Sequence, residues 1–287
     1  MIRKTRDGVL TDVSSSQDKI LGFLYGNTFG RLLLKPLTTP CISKAAGWFL
    51  STKASCVFIK SFIRSNCIDM TQFLPEKYKS YNDFFSRKIR PEVRPIDPDS
   101  KHLISPCDSK LTVLPIDENS LFTLKHTAYT VESLLKDPSL ARAYQGGTAM
   151  IFRLTVDDYH RYCYPCDGSK GDNTRIRGVL HTVMPIANDF FPIYKENSRE
   201  YTLLRTENFS DILIMEVGAL LVGRIVNHHG KAQVLRGQEK GYFQFGGSTV
   251  VMLFKANSVA VDDDILANSR EGIETVVKMG EKIGSAI

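Results

Sequence analysis

Gly241-Tyr242-Phe243-Gln244-Phe245-Gly246-Gly247-Ser248-Thr249-Val250-Val251 sets aromatic and apolar residues on both sides of a glycine pair. The flanks alternate with period two, which is the signature of strands, and the pair interrupts them. Locally this reads as a hairpin turn or a bulge within a β-sheet. Two glycines ahead of a serine also free the backbone and leave the Gly247 carbonyl uncrowded.

Working outward, short β-like runs recur at Leu103-Ile104, Leu111–Leu114, Met150–Leu154, Gly178–Leu180, Ile212–Val217, Leu220–Val222 and Val250–Phe254. One helix is expected from Val131 to about Tyr144, with Thr130 as its N-cap. Many short strands with Gly-rich turns argue for a sandwich or barrel over a βαβ sheet. Residues 1–16 are polar and read as frayed. From Ser16 to Met70 the pattern turns helical, with Lys44, Lys53, Lys60 and Arg64 set among apolar residues. No uncharged window there reaches the roughly 18 residues a membrane span needs. A basic amphipathic helix can instead lie in a bilayer interface, or the arm can simply pack on the main domain. Pro91, Pro95 and Pro98 mark the approach to a second region. The expected organisation is a helical, membrane-associating region over 1–75 and a β-rich domain over 76–287.

The 287 residues carry a net charge of +6, with 43% hydrophobic and 24% charged residues. That is ordinary for a folded domain with a full core. A basic balance suits an anionic lipid surface or nucleic acid. No Arg/Lys run with interleaved aromatics or nucleic-acid motif occurs, so a membrane surface is the better match. Six cysteines do not make a disulfide scaffold in a chain this long, and no secretory signal opens it, so a reducing compartment is expected. Cys163 and Cys166 form a lone C-x2-C without a second pair at metal spacing.

The chain also holds Ser105-Pro106-Cys107-Asp108 and Asp157-Asp158-Tyr159-His160-Arg161 upstream of Gly247-Ser248-Thr249. Asp, His and Ser in that order, with Gly-Gly-Ser-Thr, resemble the phosphatidylserine decarboxylases, which make a pyruvoyl cofactor from their own serine. The resemblance extends to Tyr81-Asn82-Asp83-Phe84-Phe85-Ser86-Arg87 with Arg94-Pro95-Ile96, to Met215–Ala219 with Val222-Gly223, and to Arg236–Gly241. It spans about residues 80 to 257. It implies an α+β fold whose β-rich core is of the barrel-sandwich hybrid type, with amphipathic helices attached at the N-terminus.

The resemblance also implies a chemistry. Ser248 attacks the Gly247 carbonyl, the amide becomes an ester, and β-elimination splits the chain into a β chain (1–247) and an α chain (248–287). Hydrolysis of the resulting dehydroalanine leaves pyruvoyl at 248 and releases ammonia. A serine hydroxyl needs a base, and a histidine oriented by a carboxylate is the usual one. His160 is the candidate base and Asp108 its orienting carboxylate, with Asp157 and Asp158 as competitors. Thr249 is a candidate donor to the oxyanion. The pyruvoyl carbonyl would then form a Schiff base with phosphatidylserine, CO2 would leave, and protonation, with His160 as the candidate donor, would give phosphatidylethanolamine. No metal and no pyridoxal phosphate is called for.

Two departures from the family pattern stand out. Most relatives carry a second histidine where this chain has Cys163, and a thiol with a pKa of about 8.5 is a poor base near neutrality. Ser109 follows Asp108 where relatives have glycine. Arg199, in Asn197-Ser198-Arg199-Glu200-Tyr201, is either a phosphate or carboxylate ligand of the substrate or a solvated surface arginine. Glu216 reads as fold support, and His228-His229-Gly230 as a hairpin cap.

The expected partners are phosphatidylserine in a membrane and the α and β chains of one precursor. A homodimer is left open, and nucleic acid is not expected. The expected location is peripheral, on the cytoplasmic face of the cell membrane. The rival readings are a pyruvoyl decarboxylase of a soluble amino acid, a conventional Ser-His-Asp hydrolase, which would lack a G-x-S-x-G elbow, and a non-catalytic membrane-binding β domain.

Overall fold

The computed structural model describes residues 2–12, 23–27, 29–30, 32, 38, 40–124, 127–182, 192–219, 224–244 and 248–287. The chain folds as a mixed α+β, strand-rich protein built on an eleven-stranded sheet. Its centre is the strand Ser248–Phe254, every residue of which is buried. Two sheet faces are covered at this point, so the run Val-Val-Met-Leu-Phe reads as continuous hydrophobic residues and not as an alternation. Asp211–Val217 pairs antiparallel on one side and Thr148–Leu154 on the other. Beyond Thr148–Leu154 lie Ser109–Pro115 and then Glu274–Val277.

Among the described residues the sheet does not close into a barrel. It runs from Ala232–Val234 at one edge to Leu10–Asp12 at the other. The first residues, expected to fray, are strands. Ile2–Thr5 pairs in parallel with Glu274–Val277, placing Arg3 beside Glu274, and turns back into Leu10–Asp12. An available sheet edge orders a polar segment that has no hydrophobic signal of its own.

The glycine pair, read as a hairpin turn or bulge, lies outside the described residues, but the strands on either side of it fall in different sheets. Glu239–Phe243 pairs with Ile225–Asn227 and Arg161–Cys163 in a separate three-stranded sheet, whereas Ser248–Phe254 belongs to the large one. Phe243 and Ser248, five residues apart, therefore belong to different sheets. His228-His229-Gly230 likewise links strands of different sheets and caps no hairpin. The helix expected over 131–144 is two short ones, Val131–Leu135 and Pro138–Arg142. Thr130 caps the first by accepting from Ser133 N, as its sequence position suggests. Lys136 then turns left-handed, and Asp137 caps a second helix that opens on Pro138.

The N-terminal region includes the helices Pro40–Leu50 and Ile59–Ser65, joined by a 3-10 turn at Lys53–Phe58. The arm docks through Phe62, whose ring meets those of Tyr81, Phe84 and Phe85 at 5.4, 6.0 and 6.4 Å. Asn82 secures it by donating to Gly47 O and Ser51 Oγ. Among the described residues no helix is long and apolar enough to cross a membrane.

Candidate active site

Ser248 is the first residue of the central strand and pairs with Leu154. Lys110 pairs with Arg153 and Ser109 with Val277. Asp108 and Ser248 consequently stand at the same end of the large sheet. Ser248 is fully buried, and its Oγ has no hydrogen-bond partner among the described residues. Strand alternation turns Thr249 to the opposite face, the side of its pairing neighbour Arg153. Its hydroxyl is therefore directed away from the face that carries Ser248. Gly247 lies outside the described residues.

His160 follows the turn that ends Thr148–Leu154, and its carbonyl accepts from Phe243 N at 2.9 Å. Phe243 precedes Ser248 by only five residues, a reach of at most about 18 Å when fully extended. The imidazole is fully buried, with the Phe85 ring centroid 4.1 Å away. Nδ1 lies 2.9 Å from the carbonyl oxygen of Asp158, while Nε2 is buried without a partner among the described residues. A carbonyl can only accept, so Nδ1 carries the proton and Nε2 presents its lone pair. Burial, aided by the charges of Arg87 and Lys110 and opposed by the Asp158 carbonyl, pushes this histidine down to about 3. It is thus neutral at ordinary pH, the protonation state a general base needs.

The carboxylate expected to orient that imidazole is committed elsewhere. Asp108 accepts from Arg94 Nε at 2.8 Å and Nη2 at 2.6 Å, and from Met279 N at 2.9 Å; Lys278 Nζ stands 3.5 Å away. Burial alone would raise its pKa, but the bidentate arginine, Lys278 and the Met279 N–H hold it below the usual carboxylate range. The tautomer of His160 is set by the Asp158 main chain instead. The Asp158 carboxylate is held by Lys110 Nζ at 2.6 and 2.8 Å and by Thr155. This carbonyl is not visible in the sequence, because a main-chain acceptor leaves no mark on residue types. Arg94 was legible only as part of the Arg94-Pro95-Ile96 run.

Cys163 is buried, and burial lifts its thiol to about 12, so it stays protonated and cannot stand in for an imidazole base. It lines a cavity of about 280 Å3 with Ile89, Arg94, Tyr159, Arg161 and Met279. Arg199 is not a surface group. It is 1% exposed and donates to the carbonyls of Ser133, Leu134, Lys195 and Asn197. Four of its five N–H donors thus tie two helices to the sheet, which corrects its expected role as a substrate ligand. Among the described residues no group of three or more His, Cys, Asp or Glu is placed to hold a metal ion.

The strand before Ser248 is pinned by a buried polar cluster. Lys240 Nζ donates to Glu216 Oε1 at 2.7 Å and Asn227 Oδ1 at 2.8 Å, and Asn227 Nδ2 donates to Glu216 and Glu200. Gly241 lets this strand approach its neighbours, since a Cβ there would lie 2.1 Å from Val226 O.

Comparison with known proteins places these features in one family. A family model described as phosphatidylserine decarboxylase matches residues 81–285. A Clostridium acetobutylicum protein named phosphatidylserine decarboxylase proenzyme 2 is 49% identical over 265 residues, covering 92% of this chain and 91% of the relative. A phosphatidylserine decarboxylase proenzyme of Ruminiclostridium cellulolyticum is 39% identical, over 99% of this chain and 96% of its own length. One from Clostridium tetani is also 39% identical, over 98% and 96%.

Proposed function

The chain belongs to the phosphatidylserine decarboxylase family, and on that premise we propose that it is a proenzyme that cleaves itself at Gly247–Ser248 and decarboxylates phosphatidylserine to phosphatidylethanolamine. The observation that carries the reading is a pair of buried groups without a partner among the described residues, Ser248 Oγ and His160 Nε2, the histidine being tied through its carbonyl to Phe243, five residues before Ser248. Leaving a buried polar atom unpaired costs about 1–3 kcal/mol, so two together call for a use.

His160 Nε2 takes the Ser248 proton, and Oγ adds to the Gly247 carbonyl carbon. The C–N bond then breaks, moving the acyl group from nitrogen to oxygen. Loss of the Ser248 α-proton expels the Gly247 carboxylate and leaves dehydroalanine. Water converts this to pyruvoyl, with release of ammonia. A pyruvoyl group at 248 would supply an electron sink for the charge left as CO2 departs. His160, in its buried position, holds or returns a proton without competition from water. Asp108 and Arg94 act as a fixed pair that holds the end of Ser109–Pro115 against Met279.

The lipid substrate agrees with the surface of the N-terminal region. Trp48 and Val57 are each 74% exposed, and Phe49 and Phe58 lie beside them with ring centroids 6.3 Å apart. Lys53, Lys60 and Arg64 share this arm, and no acidic residue occurs between positions 40 and 68. Aromatic groups framed by cations suit the interface of an anionic membrane, which is where we place the protein. The test is turnover: purified protein on phosphatidylserine vesicles should release CO2 and accumulate phosphatidylethanolamine, whereas Ser248→Ala should do neither. Release of CO2 from a free amino acid, with none from the lipid, would move the assignment to a soluble substrate.

A further inference from the structure

Among the described residues Arg87 is a buried cation without a counter-ion. It is 2% exposed, and neither Nε nor Nη2 has a hydrogen-bond partner. Its contact through Nη1 is a long one, 3.4 Å to Phe84 O. The guanidinium stacks on Phe73 at 4.1 Å and on Phe84 at 4.8 Å. Among the described residues no carboxylate forms an ion pair with it. Tyr78, whose ring centroid is 5.2 Å from that of Phe84, has a buried OH that is also unpartnered. The other titratable groups that feel its charge are Tyr81, Tyr159 and His160. Burial lowers Arg87 to about 10, which leaves it cationic at neutral pH.

A buried charge kept from water is costly unless it is paired, and cation–π stacking offsets only part of that cost. Arg87 Nε and Nη2 and the Tyr78 hydroxyl are thus three donor positions without a partner among the described residues, on two side chains that both neighbour the Phe84 ring. A planar arginine fork with adjacent free donors matches an oxyanion held in bidentate fashion. The location matters as much as the chemistry. Arg87 lies two residues beyond Phe85, which contacts His160 on one side and Phe62 of the exposed aromatic arm on the other. It sits at the seam between the surface that faces lipid in our functional reading and the candidate base.

We propose that Arg87 and Tyr78 form the cradle for the phosphodiester of the lipid headgroup. The inference rests on the decarboxylase reading for the identity of the lipid. The substrate also offers a carboxylate, but an arginine bound there would stabilise the charge that decarboxylation must disperse, which favours the ground state. The phosphodiester keeps its charge throughout, so gripping it anchors the headgroup without opposing the reaction.

The test is calorimetric binding of dihexanoyl phosphatidylethanolamine to the full-length Ser248→Ala chain, which requires neither cleavage nor turnover. This ligand has the phosphodiester and lacks the carboxylate. Free serine supplies the carboxylate alone, and inorganic phosphate the free anion. Arg87→Met should weaken the lipid at least about tenfold, Tyr78→Phe by less, and Arg87→Lys should recover part of the loss. Serine binding should be unchanged. The melting temperature of Arg87→Met should hold or rise, because an unpaired buried charge has been removed. Arg87→Met that binds the lipid like its parent overturns the proposal, as does a loss confined to serine. So does an unfolded Arg87→Met alongside a Tyr78→Phe chain with parental affinity, since Arg87 would then be a structural pillar. Inorganic phosphate binding as tightly as the lipid in an Arg87-dependent way would overturn the headgroup assignment. Should the native chain neither cleave nor turn over phosphatidylserine, yet the Arg87 dependence persist, the decarboxylase reading fails and an anionic-lipid cradle stands.

Discussion

At the scale of single residues, the account turns on which atoms are left free. The Asp158 carbonyl takes Nδ1 of His160 and leaves the lone pair on Nε2, and among the described residues neither Nε2 nor Ser248 Oγ has a partner. His160→Gln should therefore slow self-cleavage by about 10²–10⁴, the range for loss of a general base, as followed by gel densitometry over time. Cys163→Ala should change that rate less than about twofold, since a thiol pushed up to about 12 supplies no base at neutral pH. The pH dependence has a definite sign. The His160 imidazole falls from 6.5 to about 3 on folding, so between those values the unfolded chain binds a proton that the folded chain does not. Its contribution to stability is complete above 6.5 and is lost as pH falls from 6.5 towards 3. Asp108, held below 3.8, acts in the same direction at lower pH. The cleavage rate should accordingly be flat from pH 6 to 8; an inflection near 6.5 would contradict the neutral, buried histidine. The candidate residue types were legible in sequence, because Asp, His and Ser carry their chemistry with them. Their partners were not. Pairing of Asp108 with Arg94 and burial of Arg199 are set by distant segments, and local sequence does not record them.

At the scale of elements, the central strand and its neighbours were legible because apolar runs bounded by turn residues have few alternatives. The pairing of those strands was not. Phe243 and Ser248 are close in sequence yet belong to different sheets, a matter of tertiary register. What fixes the crossing is the Glu216–Lys240–Asn227 cluster, which ties the strand before residues 244–247 to a strand paired with Ser248–Phe254. Lys240→Met leaves Glu216 buried and uncompensated, and should cost about 3–5 kcal/mol in urea unfolding of the Ser248→Ala chain at pH 7. Adding Glu216→Leu should recover most of that loss, because a buried ion pair replaced on both sides is often neutral or stabilising. A single variant as stable as its parent would show that the cluster does not hold the strands together.

At the scale of the whole molecule, cleavage after Gly247 would leave residues 248–287 woven into the fold. Ser248–Phe254 lies between two strands of the larger piece, Glu274–Val277 between two more, and Lys282–Ser285 pairs with both Ala260–Val261 and His102–Ile104. The two chains should co-elute in gel filtration and separate only in denaturant. The exposed Trp48, Val57 and Phe58 belong to the surface of the arm, where hydrophobic periodicity gave the helical character but not the facing. Replacing Trp48 and Phe58 with serine should weaken sedimentation with phosphatidylserine vesicles by about tenfold while leaving the melting temperature within a few degrees. Self-cleavage through Ser248 is decided by the intact mass of the purified protein beside Ser248→Ala. The account predicts two chains divided at Gly247–Ser248, the shorter lacking an amine at its start and reactive towards hydrazides, with the variant remaining whole. A single full-length chain after prolonged incubation, with the same mass as its gene sequence encodes and no carbonyl reactivity, would contradict it.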